Sequence, residues 1–284
     1  MNVNVAQGTS PEQAPRRFES DPTLSGLRFT GVLRSEFAKL LALRTTFWLS
    51  LVTVGLSVLI AVAAGWSIGS FEMPAGLEID EQVYAATALM SGLYFATMLM
   101  GALGVISMTT EFTTGAVRSS LTAVPRRSTL FIAKLLALLL VVAVVTAVSV
   151  LAAHVVGVGF TDLELSAMFT EGDVLHVYLG HWAAVLITAL LGFGLGALLR
   201  SSAGGIVVLT IIVFVLQVVL VIIWQTTGED WLETLLDYEY SSLMATFVTP
   251  GSADPEPWAG GVGLAVWAAI PTLLGWLTFT RRDA

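Results

Sequence analysis

Six long stretches of this chain contain no Asp, Glu, Lys or Arg, and they limit its possible folds more than anything else in the sequence. A helix needs about 20 residues to cross the apolar core of a bilayer, and each stretch is longer than that. Only 12% of the residues are charged and 56% are hydrophobic, whereas a soluble domain carries about 25% charged residues. An ordinary soluble globular protein is therefore excluded. The charge-free stretches are 45–71, 82–110, 135–161, 174–199, 201–228 and 257–280.

These stretches predict an all-α integral membrane protein with six transmembrane helices in one domain over 45–280. Residues 1–24 are polar and rich in proline, so we expect a disordered cytoplasmic lead, and 281–284 form a short cytoplasmic tail. Spans four and five must form an antiparallel hairpin because Arg200–Gly205 is so short a link, and Pro271 predicts a kink in span six. The predicted spans are about 45–67, 85–108, 131–157, 177–199, 203–224 and 259–279.

The charges are divided unequally between the two sides of the predicted membrane domain. All 13 Lys and Arg residues fall on the side of the two termini, whereas the loops 72–81, 162–173 and 229–256 hold most of the 21 acidic residues and no Lys or Arg. The positive-inside rule therefore places both termini in the cytoplasm. The net charge of −8 belongs to the external loops, and no nucleic-acid partner follows from it.

A basic amphipathic segment precedes the first span, over about 25–44. A basic amphipathic helix in this position is expected to lie along the inner membrane surface, although a solvated charge cluster is the alternative. Its apolar face carries Phe29, Leu33, Phe37, Leu40 and Leu41, and its polar face carries Arg28, Ser35 and Lys39.

The external loop 225–258 contains a second amphipathic pattern. Its position favours either a cap near the outer mouth of a pathway or a simple acidic surface loop. The apolar face comprises Trp231, Leu232, Leu235 and Leu236, and the acidic face comprises Asp230, Glu233 and Asp237.

The spans contain no charged residue that could relay ions at membrane depth, which argues against a secondary transporter. His176 and His181 are five residues apart and lack the i, i+4 spacing of paired metal ligands, so we interpret them, with His154, as interfacial histidines. Gln217 is expected to bond to a neighbouring helix. Gly192 and Gly196 form a small-xxx-small pair that serves either packing within the chain or a dimer interface.

Enzyme motifs are missing from the sequence. There is no Cys, no H-E-x-x-H and no G-x-S-x-G, and neither Lys39 nor Lys134 follows a glycine in a phosphate-binding loop. We therefore predict no catalytic residue, no metal site and no cofactor in this chain. Any energy source for the protein is expected to reside in another subunit.

The segment 109–130 between spans two and three has the densest pattern in the chain. Glu111 stands at the end of a charge-free stretch and Gly115 follows it, and Val117, Leu121 and Val124 recur at helical spacing beside Arg118. These features predict an amphipathic helix at the cytoplasmic surface. We expect a soluble partner to bind this helix and to exert force on it. The alternative is that the basic residues before span three, Arg126, Arg127 and Lys134, only anchor that span to anionic lipid.

Two cytoplasmic stretches, LRSEFAKLLALRTTFW and EFTTGAVRSSLTAVPRRS, resemble the permease subunit of an ABC-2 type ABC transporter, in the form common in actinobacteria. The topology is similar from about residue 27 to the end of the chain. In that family the last external region often dips into the membrane as short helices, and 229–238 is similar, although Glu239 interrupts its apolar face.

The resemblance implies a plasma-membrane permease that works with two copies of a separate ATP-binding subunit, on which ATP and Mg are bound, and with a second permease, identical or homologous. The apolar, charge-poor spans favour export of a hydrophobic or amphiphilic substrate such as a drug, an antibiotic, a peptide or a lipid over that of a small ion. Roles in coupling to the ATP-binding subunit would fall on Glu36, Lys39, Glu111, Gly115, Arg118, Pro125, Arg126 and Arg127. The alternative is a non-transporting membrane scaffold or sensor that recruits a cytoplasmic partner.

Overall fold

The structure, a computed structural model, describes residues 28–70, 80–114, 126–251 and 256–281. All its regular elements in these ranges are helical, which confirms the predicted all-α class. The helices are α1 (Phe29–Ala42), α2 (Arg44–Ser70), α3 (Glu81–Met90), α4 (Leu93–Thr114), α5 (Arg127–Gly157), α6 (Ala167–Thr170), α7 (Gly172–Leu199), α8 (Ser202–Thr210), α9 (Leu216–Thr227), α10 (Asp230–Asp237), α11 (Tyr240–Val248) and α12 (Pro257–Arg281).

Six continuous helical segments in the described ranges are long and apolar enough to cross a membrane, as the charge-free stretches predict. Two of them are composite: α3 and α4 together make one, and a π-helical turn over Ile211–Val215 joins α8 to α9. A short 3₁₀ turn extends α5. The helix α12 continues through Pro271. The six segments are Arg44–Ser70, Glu81–Phe112, Arg127–Phe160, Gly172–Leu199, Ser202–Thr227 and Pro257–Arg281.

The helix α7 lies at the centre of the bundle, and its glycines bring neighbouring helices close. A Cβ atom on Gly192 would overlap the carbonyl oxygen of Gly101 in α4, and one on Gly196 would lie 2.8 Å from the carbonyl oxygen of Val105. On another face of α7, a Cβ on Gly194 would lie 2.5 Å from the backbone nitrogen of Thr272 in α12. Gly192 and Gly196 therefore pack against α4 of the same chain, because only small residues allow backbones this close.

The bundle has two ends of opposite charge, which we call the basic end and the acidic end. The basic end is formed by α1, the start of α2, the end of α4, the start of α5, the Arg200–Ser201 link and the end of α12. Every Lys and Arg among the described residues lies there: Arg28, Arg34, Lys39, Arg44, Arg126, Arg127, Lys134, Arg200 and Arg281. The acidic end carries Asp80, Glu81, Asp162, Glu164, Glu171, Asp173, Glu229, Asp230, Glu233, Asp237 and Glu256.

The α10–α11 segment turns back into the bundle from the acidic end. The Tyr240 hydroxyl lies 2.6 Å from that of Thr188, and the Ser241 hydroxyl donates to the Val213 carbonyl at 2.6 Å. Thr188 and Val213 lie near the middle of span-length helices, Gly172–Leu199 and Ser202–Thr227. The start of α11 is therefore at mid-bundle depth, so the α10–α11 segment is re-entrant, which the sequence had left open.

Glu239 is a buried carboxylate whose role the sequence did not indicate. Its side chain does not interrupt an apolar face, because it caps α11: the carboxylate accepts the backbone N–H groups of Ser241 at 2.7 Å and Ser242 at 2.5 Å. Glu239 is only 2% exposed and lies next to Tyr240 at mid-bundle depth. The charge-free stretches contain no Asp or Glu, so the only route by which this carboxylate reaches such a depth among the described residues is the re-entrant segment.

Candidate functional site

Four charged side chains at the basic end form a closed cluster, which we call the charge quartet: Glu36, Lys39, Glu111 and Lys134. They come from three elements, since Glu36 and Lys39 lie on α1, Glu111 lies near the end of α4 and Lys134 lies about two turns after the start of α5. The first helix is placed so that its buried stripe consists of Val32, Glu36 and Leu40, at the i, i+4, i+8 spacing of one helical face. Glu36 thereby points at the bundle.

The two cations of the quartet each contact both carboxylates. Lys134 Nζ lies 2.6 Å from Glu36 Oε2 and 2.9 Å from Glu111 Oε1. Lys39 Nζ lies 2.7 Å from Glu36 Oε1 and 3.1 Å from the same Glu111 oxygen. The quartet is thus an alternating ring with no net charge, which joins α1, α4 and α5 through side chains alone.

Burial differs strongly around this ring. Glu36 is 4% exposed and Lys134 is 7% exposed, whereas the Lys39 side chain keeps 45% of its accessible surface. Burying a charge is costly unless it is paired, and removing one partner of a buried pair costs about 3–5 kcal/mol because the other charge is left without compensation. The pairing of Glu36 with Lys134 therefore specifies how α1 docks on α5.

Lys39 stays protonated throughout the physiological range. Partial burial acts to lower its pKa, but the hydrogen bonds to Glu36 and Glu111 and their negative charges outweigh this effect, so the pKa is raised above its ordinary value of 10.5. A raised pKa in a folded cation means that its stabilising contribution is fully present below pH 10.5 and is lost only as the pH rises through the higher folded value.

Further contacts tie the quartet to the other helix ends. The Arg200 guanidinium lies 4.9 Å from the centroid of the Phe112 ring, next to Glu111. The hydroxyls of Thr109 and Ser202 lie 2.5 Å apart, so the end of α4 is joined to the start of α8. Arg127 donates to the Thr280 carbonyl at 3.5 Å, and this contact joins α5 to the end of α12. The basic end is one connected layer around the quartet.

The structure brings together three of the residues to which the family resemblance assigns coupling roles, namely Glu36, Lys39 and Glu111. Arg126 and Arg127 lie at the start of α5, where Arg126 is exposed and Arg127 is half-buried. The remaining predicted residues, Gly115, Arg118 and Pro125, fall outside the residues that the structure describes, as does the predicted apolar ridge of Val117, Leu121 and Val124.

Lys134 is the member of the quartet that sequence reasoning missed. The sequence left open that it anchors span three to anionic lipid, but a side chain paired with Glu36 and Glu111 and buried by protein does not face lipid headgroups. One signal was present in the sequence. Glu111 directly follows the charge-free stretch 82–110, and Lys134 directly precedes the stretch 135–161. Two opposite charges therefore lie at the same side of the membrane, at the ends of two spans that are consecutive in the chain.

His154 and His181 are buried by protein, whereas His176 is half-buried. His154 is 2% exposed and lies between the Tyr178 hydroxyl at 2.7 Å and the Leu165 carbonyl at 3.1 Å. His181 is fully buried, with Nδ1 2.8 Å from the Val177 carbonyl. His176 contacts the Phe247 carbonyl at 3.0 Å. Within the described ranges, no group of three or more His, Cys, Asp or Glu is arranged to hold a metal ion.

Comparison with known proteins identifies the family. A family profile with the description "ABC-2 family transporter protein" matches residues 32–217, which is more than half of the chain and includes all four residues of the quartet. No curated protein matches the chain. With its six span-length helices, the chain is a multi-pass membrane protein and a transport component. It belongs to the ABC-2 family of transporter membrane proteins, whose permeases pair with an ABC ATP-binding subunit.

Proposed function

We propose that this chain transmits ATP-driven motion from a cytoplasmic ATP-binding subunit to its six-helix bundle, and that the charge quartet is the joint through which it does so. The observation that carries the proposal is the closed ring of Glu36, Lys39, Glu111 and Lys134 between α1, α4 and α5. A force on α1 or on the segment after α4 reaches three helices at once through this ring. The basic end faces the cytoplasm in this proposal, because every described Lys and Arg lies there.

The quartet suits this role because its charges cancel. A neutral, paired cluster moves as a unit without exposing a charge to the membrane, whereas separation of its members leaves Glu36 or Lys134 buried and unpaired. We expect α1 and the starts and ends of spans two and three to shift together when the ATP-binding subunits close. The bundle then alternates between inward-open and outward-open states, a rigid-body change between two packings.

The assembly that we propose contains two permeases, identical or homologous, and two ATP-binding subunits, in the plasma membrane. ATP and Mg are bound by those partner subunits and not by this chain. The direction of transport in the proposal is export, and the substrate is hydrophobic or amphiphilic, since the span-length helices are apolar and charge-poor. No nucleic acid takes part.

Purification of the tagged chain from its native membranes in mild detergent tests this function. We expect an ABC ATP-binding subunit to co-purify and the complex to hydrolyse ATP. Glu111→Gln is expected to lower the ATPase activity and the recovery of the partner, because it weakens the ring where α4 ends. Glu171→Gln is the matched control, since Glu171 is exposed at the acidic end.

Two results would contradict the proposal. One is a well-folded chain that repeatedly purifies without an ATP-binding subunit, which would favour a membrane scaffold or sensor. The other is a complex in which Glu111→Gln and Glu171→Gln have the same ATPase activity as the unchanged protein.

A further inference from the structure

The short link between α7 and α8 has a backbone conformation that does not suit the residue it contains. Arg200 ends α7 with φ 53° and ψ 22°, in the left-handed region, and its N–H donates to the Gly196 carbonyl at 3.0 Å. Among the residues that the structure describes, it is the one residue other than glycine with a positive φ. Glycine usually ends a helix in this conformation, because a Cβ atom makes it strained. The Arg200 side chain therefore supplies something that glycine cannot.

The Arg200 side chain contacts the end of α4. Its guanidinium carbon lies 4.9 Å from the centroid of the Phe112 ring, within the range of a cation–π interaction. Arginine suits such a contact because its planar guanidinium is weakly hydrated and stacks on aromatic faces. Phe112 directly follows Glu111 in α4, so the contact lies one residue away from the charge quartet.

Phe112 is the last of three positions on one face of α4 that hold the hairpin of α7 and α8. Val105, Thr109 and Phe112 have the i, i+4, i+7 spacing of one helical face. A Cβ atom on Gly205 in α8 would lie 2.5 Å from the Val105 side chain, so the helices are close there. One turn further on, the Thr109 hydroxyl lies 2.5 Å from that of Ser202. The hairpin thus contacts this face of α4 at three successive levels.

Two neighbouring faces of α4 therefore have different partners. Glu111 belongs to the charge quartet, which joins α4 to α1 and α5, whereas the face that ends at Phe112 joins α4 to α7 and α8. Of the three levels, the contact between Phe112 and Arg200 is the nearest to the end of α4. Because the link between α7 and α8 has only two residues, a displacement of Arg200 moves the ends of both helices.

We propose that Arg200 is a positioning residue for coupling: it holds the hairpin of α7 and α8 on Phe112, so that motion at the charge quartet reaches spans four and five. This inference rests on the proposed function, and it extends the coupled unit from three helices to five. The strained backbone of Arg200 is kept because coupling requires a guanidinium at this place.

Three variants of the permease, each in complex with the ATP-binding subunit, test the inference. Arg200→Gly removes the guanidinium, and Phe112→Leu removes the ring but keeps an apolar side chain. Arg281→Gly is the matched control, because it removes an exposed arginine from the same end of the bundle. The thermal unfolding midpoint of Arg200→Gly should be close to that of the unchanged protein, since relief of backbone strain offsets the lost contact. A loss of coupling in this variant is then not a loss of fold.

The readout is a distance at the acidic end, where the outer ends of the spans separate in the outward-open state. Spin labels at Ser70→Cys and Gly172→Cys mark the exposed ends of spans one and four, and the chain has no other cysteine. We expect trapping of ADP and vanadate in the complex to change the distance between the labels. Arg200→Gly and Phe112→Leu should each lower the ratio of shifted to unshifted molecules about threefold, the effect of one lost cation–π contact. Arg281→Gly should leave that ratio unchanged.

The double variant Arg200→Gly with Phe112→Leu should behave like either single variant, because both substitutions remove the same contact. A clearly smaller ratio in the double variant would overturn the inference, and so would an Arg200→Gly permease that shifts like Arg281→Gly. If Glu111→Gln reduces the shift and Arg200→Gly does not, the proposed function stands and the inference alone fails. If the unchanged complex shows no shift on trapping, the proposed function fails and the inference fails with it.

Discussion

Lys39 and Lys134 differ in burial, although both bind the same two carboxylates. Lys134 is 7% exposed and its partner Glu36 is 4% exposed, whereas the Lys39 side chain keeps 45% of its surface. Screening by solvent reduces an exposed ion pair to about 0.5 kcal/mol, whereas loss of a buried cation leaves its partner uncompensated. The position of a lysine in the ring therefore decides how much it stabilises the fold.

Replacement of each lysine by methionine measures this difference. We expect Lys134→Met to destabilise the protein by about 3 kcal/mol and Lys39→Met by about 0.5 kcal/mol, because only the first leaves Glu36 buried with a single, partly exposed partner. The midpoint of thermal unfolding in mild detergent reports both. Equal effects of the two single substitutions would contradict the assignment of burial.

The raised pKa of Lys39 predicts a specific pH dependence. Its stabilisation is fully present below its ordinary value of 10.5 and is lost as the pH rises through the folded value. The difference in unfolding midpoint between the unchanged protein and Lys39→Met should hence be the same at about pH 7 and about pH 9, and should shrink above pH 10.5. A difference that changes between pH 7 and 9 would show that another group controls the stability of the quartet.

Glu239 is buried like Glu36 but has a different role. Its carboxylate caps the start of α11, and it forms none of the ion pairs seen among the described residues. Glu239→Ala removes both acceptors and should cost about 1 kcal/mol, a factor of about five in local opening. Hydrogen exchange of the Ser241 and Ser242 amides is expected to accelerate accordingly. Glu233→Ala, on the exposed side of α10, is the control. Unchanged exchange in Glu239→Ala would rule out the capping role.

At the scale of elements, the contact between α7 and α4 depends on glycine. A Cβ on Gly192 would overlap the Gly101 carbonyl, and backbone atoms cannot move aside as the end of a flexible side chain can. Gly192→Ala should consequently destabilise the bundle by about 2 kcal/mol, which a thermal unfolding scan would detect. Gly55→Ala in α2 is the matched control, because nothing lies within 4 Å of a Cβ there. Equal midpoints for the two variants would contradict this packing.

Sequence patterns predicted some elements well and others poorly, for physical reasons. The spans could be predicted from the sequence because the absence of charge over the thickness of a bilayer is a property of one continuous stretch of residues. The burial of Lys134 could not be predicted from the sequence, because its partner Glu36 is 98 residues away. The depth of α11 was equally hidden, since it depends on contacts of Tyr240 and Ser241 with two other helices.

At the scale of the whole molecule, the separation of charge predicts the orientation. Arg126 is exposed at the basic end and Glu171 is exposed at the acidic end, and the chain contains no cysteine. In intact cells, a membrane-impermeant maleimide should label Glu171→Cys and not Arg126→Cys, whereas both should react in opened membranes. The reverse pattern in intact cells would place the charge quartet on the outside and would be incompatible with a cytoplasmic ATP-binding subunit.

The most direct test of the central claim is crosslinking at two matched glycines. Gly31 on α1 at the basic end and Gly172 at the acidic end are both exposed, and a Cβ at either meets nothing within 4 Å. A photoreactive phenylalanine analogue at each position, irradiated in native membranes, reports which protein lies next to it. We predict that the analogue at position 31 crosslinks to an ABC ATP-binding subunit and that the analogue at position 172 does not. A crosslink to that subunit from position 172, or none from position 31, would contradict the account.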